Sequence, residues 1–263
     1  MENNVQNRLE EIKKNGYILD FSTVFNHAFE NYKKIALYGA LIIFVFFVLL
    51  TVIATIGLIA VFGATTVLDF FKPENLKPEV FGFEMILIIS GVSLLISSLL
   101  SPFTAALIKM AQCAEIDEEF QVASMFQYYK APYFVELFVA TFIIALVSSA
   151  ISLLLNYFEI PLVNYLFTIF ISLYTLFVVP LIIFGKLKAI ESIKASALIV
   201  SKQPLIILAL AVVGYIATFV GFIGCCIGVF FTIPFMFSLY YALYAETIGF
   251  NLKNDNTPMD NIN

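Results

Sequence analysis

The sequence predicts an all-α polytopic membrane protein with six transmembrane helices. Three observations carry that prediction. Of 263 residues, 61% are apolar and 13% charged, and the mean hydropathy is +0.97, whereas soluble domains are about half apolar and about a quarter charged. Five stretches lack Asp, Glu, Lys and Arg: residues 35–68, 85–108, 137–158, 160–185 and 203–245. A hydrocarbon core about 30 Å thick takes about 20 residues of helix. The first four stretches therefore hold one span each, and the last holds two, folded at the glycine-rich residues 221–228. Strands of a membrane barrel would instead alternate in segments of about 10 residues.

The first 34 residues are polar or amphipathic, which excludes a cleavable signal at this end. Within them Phe21, Val24, Phe25, Ala28, Phe29 and Tyr32 recur at helical spacing along one face. Asp20 or Ser22 is the expected cap. Val122, Met125, Phe126 and Tyr129 form a second such stripe, and Ile190, Ile193, Ala197 and Val200 a weaker third. Each stripe ends at a lysine and then enters a span. The expectation is three amphipathic helices on the cytoplasmic leaflet, with Phe21, Phe25, Phe29, Met125, Phe126 and Tyr129 at the membrane interface. The chain then divides into a cytoplasmic tail with its interfacial helix (1–34), the six-helix domain (35–249) and a polar cytoplasmic tail (250–263).

Cationic side chains set the orientation. With the N-terminus inside, twelve lysines and arginines face the cytoplasm and only Lys72 and Lys77 face out. Both ends are then cytoplasmic.

The lysines also expose an internal repeat. Tyr32-Lys33-Lys34-Ile35 aligns with Tyr129-Lys130-Ala131-Pro132 and with Ser201-Lys202-Gln203-Pro204. The second span of each unit carries one proline: Pro102, Pro180 and Pro234. A proline in a spanning helix frees a carbonyl and permits a kink. Three helix-hairpin units of one sense imply an axis along the membrane normal. Two readings of the prolines follow: they shape packing, or they surround a cavity on that axis.

The run Ala189-Ile190-Glu191-Ser192-Ile193-Lys194-Ala195-Ser196-Ala197, then Ser201-Lys202, resembles the alanine-rich, serine-bearing helix of a large bacterial group. Gly221, Gly224, Cys225, Gly228, Thr232-Ile233-Pro234 and Tyr240-Tyr241-Ala242-Leu243-Tyr244 match its tail. Over residues 181–249 the chain is similar to an uncharacterised bacterial family of six-span proteins. These are akin to the membrane domain of glycerophosphodiester phosphodiesterase and to the YciC-like inner-membrane proteins. The resemblance implies an inner-membrane six-helix protein and carries over no catalytic residues. No counterpart of the phosphodiesterase barrel of some relatives is expected outside the spans.

Candidate chemistry is sparse. A net charge of −5 argues against nucleic acid. The single histidine, His27, excludes a multi-histidine metal site built from this chain alone, and its place on a polar helix face reads as surface. Glu136, at the start of the third span, is the carboxylate of most interest. It is a functional group by default if buried in lipid, and an anchor if it sits at the interface. Glu246 mirrors it in the last span. Glu115, Asp117, Glu118 and Glu119 lack the ligand spacing of a calcium loop and read as a solvated helix cap. Cys225 and Cys226 are adjacent and Cys113 is alone, so no disulfide framework or zinc spacing arises. Asp69, Glu74, Glu79 and Glu84 make the outer loop acidic.

These readings predict a non-enzymatic membrane protein, without a cofactor, that binds or organises lipids or partner membrane proteins. The alternative is a transporter or channel for an apolar or amphipathic solute. A bacterial inner membrane is the expected location.

Overall fold

The computed structural model describes residues 2–70, 72, 83–223 and 227–249. The chain forms α1 (Glu2–Asn15), α2 (Phe21–Phe62), α3 (Ala64–Phe70), α4 (Phe83–Glu115) and α5 (Val122–Met125), then a 3-10 turn, Phe126–Tyr129. It continues through α6 (Tyr133–Tyr157), α7 (Pro161–Tyr174), α8 (Val178–Ile183), α9 (Ala189–Lys202), α10 (Pro204–Ile223) and α11 (Ile227–Thr247). Among the described residues, six helical segments are long and apolar enough to cross a membrane: α2, α4, α6, α7 with α8, α10 and α11. The protein is an all-α, six-span integral membrane protein, as its composition predicts. Glu74 and Glu79 of the acidic loop, Gly224-Cys225-Cys226 of the last hairpin and the tail 250–263 lie outside the described residues.

The bundle is organised around the second helix of each predicted unit. α4, α8 and α11 pack against one another, and Pro102, Pro180 and Pro234 are all buried. Ile108, Val178, Ile182 and Tyr241 belong to one apolar cluster between them. Near the lysine-bearing face the space between these helices is therefore filled with side chains. Gly39 lets α2 close on this core. A methyl group there would stand 2.9 Å from Met110 Cε and 3.0 Å from Pro234 Cγ. Small residues at such crossings permit the close contact that drives helix association in lipid.

The three amphipathic stretches differ from their expectation, each for a physical reason. The first is no separate helix. Residues 21–34 continue into the span as one 42-residue helix, about 63 Å long at 1.5 Å per residue, roughly twice the hydrocarbon core. Asp20 caps it, its carboxylate accepting from the Thr23 amide at 2.7 Å. The phenylalanine stripe packs on the middle of α11: the rings of Phe25 and Tyr32 stand 5.9 and 5.5 Å from Phe235. Phe21 stacks on Phe25, and Phe29 is the exposed member.

The second stretch changes pitch. The step from α5 into a 3-10 turn swings Tyr128 inward beside Met125 and leaves Phe126 and Tyr129 exposed. In the third, α9, the buried face is Ala189, Ser192, Ala195, Ser196, Ile199 and Val200. Ile190, expected on the apolar face, is 56% exposed. α9 meets the fourth span through Ala195, Ser196 and Ile199, and Ile190 falls off that face.

That approach has a cause. The fourth span is broken between Tyr174 and Val178, and a broken ladder leaves polar backbone in an apolar setting. Ser196, fully buried, repairs it: its hydroxyl donates to the Tyr174 carbonyl at 2.6 Å and accepts from the Phe177 amide at 3.2 Å. α1, expected only as part of a cytoplasmic tail, is a helix with Val5, Leu9 and Ile12 along one face, and it packs on α9. Val5 and Ile12 are buried there, and Lys202 donates to the Lys13 carbonyl at 2.9 Å. Between the two, the Tyr17 hydroxyl donates to the Ile199 carbonyl at 3.2 Å.

Ser196→Ala removes both bonds and strands two backbone groups. We expect a loss of about 1–3 kcal/mol, read as a lowered thermal midpoint in detergent. An unchanged midpoint would show that the break is satisfied by other means.

Candidate functional site

Two polar assemblies stand on the lysine-bearing side. The first joins three spans end to end. His27 of α2 bridges two carboxylates: Nδ1 lies 2.8 Å from Glu246 Oε1 of α11, and Nε2 lies 2.9 Å from Glu115 Oε2 of α4. Ionised carboxylates only accept, so both ring nitrogens donate and the imidazole carries charge. Tyr241 stands edge-on to the ring, with centroids 5.9 Å apart. The surface histidine expected from sequence is thus a brace among three helices, and Glu115 and Glu246 are its partners. The two carboxylates lie on opposite sides of the ring and do not converge on one point. Among the described residues no group of His, Cys, Asp or Glu is arranged to hold a metal ion. Asp117 is drawn in as well: Lys34 pairs with it at 2.5 Å and donates to the Ala114 carbonyl at 2.8 Å. The loop read as a solvated cap therefore ties α4 to α2.

The second assembly is concave. A cavity of about 650 Å³ opens between the 3-10 turn, the start of α6 and the segment joining α8 to α9. Lys130, Lys186 and Lys188 line it with Ser124, Gln127 and Tyr133, over a floor of Ile182 and Leu187. Ile182 and Leu187 are buried and the three lysines exposed. Arg8, Lys33, Lys34 and Lys72 each pair with a carboxylate. Among the described residues Lys130, Lys186 and Lys188 make no ion pair.

Glu136 is in the same wall, and its role is local. Its Oε2 accepts from the Ala189 amide at 2.7 Å, at the start of α9, where backbone N–H groups have no helical partner and a carboxylate is favoured. Glu136 therefore fixes the helix whose approach brings Lys186 and Lys188 to Lys130. Lys186 has a left-handed backbone, φ 55°, which for a side chain with a Cβ costs about 1–2 kcal/mol.

The structure distributes the sequence-predicted residues unevenly. Phe126 and Glu136 line the cavity. Met125 is buried beside it, and Tyr129 is stacked with Phe134. Phe21 and Phe25 pack on the cluster that α2 shares with α11, Phe29 is exposed beside Phe25, and Pro102, Pro180 and Pro234 belong to the central packing. Lys186 and Lys188 were legible only as orientation signals. Their convergence with Lys130, more than 50 residues away, has no sequence pattern. No family model, curated protein or solved structure matches the chain.

His27→Gln leaves two facing carboxylates without their cation. We expect a loss on the order of 1–3 kcal/mol, measured by thermal unfolding in detergent. Adding Glu115→Gln should restore part of it, and independent, additive losses would contradict a shared brace.

Proposed function

We propose that this protein is a non-catalytic membrane protein that holds an anionic lipid headgroup at the cytoplasmic boundary. The observation that carries the reading is the cavity of Lys130, Lys186 and Lys188 above an apolar floor. Three ammonium groups offer donors to a phosphate, while Ile182, Leu187 and the exposed ring of Phe126 suit the start of an acyl chain. Basic pockets between spanning helices on the cytoplasmic side recognise headgroups in this way. The three lysines outweigh the single Glu136 carboxylate, which is already bonded to the Ala189 amide.

This reading takes the chain as resident in a bacterial inner membrane with both ends cytoplasmic. The distribution of cationic side chains supports that orientation. It also takes the chain as a member of the six-span group that residues 181–249 resemble. No catalytic residue is assigned: the cavity contains no histidine, cysteine or paired carboxylates.

The test is lipid retention by native mass spectrometry, comparing phosphatidylglycerol with phosphatidylcholine. Wild-type protein should retain the anionic lipid preferentially. Each lysine near the surface is worth about 1 kcal/mol, so each single Lys→Gln change should weaken retention by about fivefold. Equal retention of the two lipids, indifferent to these changes, would overturn the reading. Lys186→Gly separates binding from folding. It relieves the left-handed backbone strain, so stability should rise by about 1 kcal/mol while retention falls.

A further inference from the structure

On the face opposite the lysines a second cavity, about 430 Å³, opens between α4, α6 and α7. Its polar side chains are neutral: Ser148, Ser149, Ser152 and Asn156 from α6, and Thr168, Ser172 and Thr175 from α7, with Ser90 of α4 facing them. On α6 the four share one helical face. Ser148 lies nine residues before the end of α6 at Tyr157 and Thr175 fourteen after the start of α7 at Pro161, so the groove reaches about 14–21 Å in, close to mid-membrane. The sequence had marked no polar centre in these spans.

The hydroxyls of the two walls differ. Those of α7 are spent on their own helix: Thr168 donates to the Asn164 carbonyl at 2.9 Å, Ser172 to that of Ile169 at 2.9 Å and Thr175 to that of Ile171 at 2.8 Å. Such back-bonding is how a lone hydroxyl is accommodated in an apolar helix. On α6 it is absent: Ser148, Ser149 and Ser152 have no hydrogen-bond partner among the described residues, and the Ser148 Oγ is buried. Ser149 and Ser152 are half-buried and open to the groove, where an unpaired hydroxyl facing hydrocarbon would be costly. They are explained if the groove is wet.

We infer that this groove is a water-filled vestibule that admits an uncharged, hydroxyl-bearing solute from the face opposite the lysines. Its lining carries no charge, so it offers an ion no counter-charge, while its free donors and acceptors match a polyol. The inference is independent of the lysine cavity.

Single Ser148→Cys, Ser149→Cys and Ser152→Cys variants of the full chain in lipid vesicles test it, with labelling by a small water-soluble methanethiosulfonate counted above the parent's native thiols. Lipid-facing positions of the same helix, Leu146→Cys, Val147→Cys and Leu154→Cys, are the controls. Because the thiolate reacts and forms only in water, positions 149 and 152, which open to the groove, should label roughly tenfold faster or more than the controls, and the buried position 148 more slowly than those two. Sorbitol should slow them by at least about twofold, whereas a polyethylene glycol too large for the cavity should not. Equal rates at groove and control positions would overturn the vestibule. Fast labelling that sorbitol leaves unchanged would overturn the solute. Isosteric serine-to-cysteine changes keep the fold, and three separate sites guard against one local failure.

Discussion

A carbonyl or amide without a partner in hydrocarbon costs several kcal/mol, and the broken fourth span presents both, at Tyr174 and Phe177. The buried Ser196 of α9 meets them with one hydroxyl. Much of the lysine-bearing side follows from that bond. α9 must lie against the fourth span, so its inward face carries Ser192, Ala195 and Ser196, with Ile199 and Val200 buried beyond them. Its N-terminus then falls within reach of Glu136, and its leading segment carries Lys186 and Lys188 to the edge of the cavity that Lys130 shares. α1 closes over the outer face of α9 and is pinned through Lys202 and Tyr17.

The two halves of the bundle divide the physical tasks. Toward the lysines, α4, α8 and α11 fill the space between them with apolar side chains, and His27 ties α2, α4 and α11 through two carboxylates. Toward the opposite face α7 packs on α6, and Ser90 of α4 faces them across a hydroxylated groove. The histidine brace and the lysine cavity thus stand on one side of the bundle, and the neutral hydroxylated groove on the other. Such a division suits a protein that holds a headgroup at one boundary and admits water from the other.

The span count was legible because it rests on length and hydropathy alone, and the cap at Asp20 because N-capping is local. The three proline-bearing helices were legible in the sequence, whereas the choice between packing and a cavity needed the side chains between them. What the sequence could not show depends on partners distant along the chain. The phenylalanine stripe of α2 looks lipid-facing until α11 is found beside it. Ile190 looks inward until α9 is found to bury the face of Ser192, Ala195, Ser196 and Ile199 instead. His27, Glu115 and Glu246 read as three separate surface groups, since 88 and 219 residues separate the histidine from its partners. The stripe Val5, Leu9 and Ile12 of α1 stands at helical spacing and was legible, but its burial against α9 depends on a partner far along the chain.

The central claim is that α9 is an internal strut of the bundle and not a helix resting on the leaflet. Hydrogen exchange followed by mass spectrometry, on the protein in lipid nanodiscs, tests it most directly. The account predicts that amides of residues 189–202 and of the break at 174–178 exchange as slowly as those of α11, and open together. Rapid exchange across 189–202 while 174–178 stays protected would contradict it.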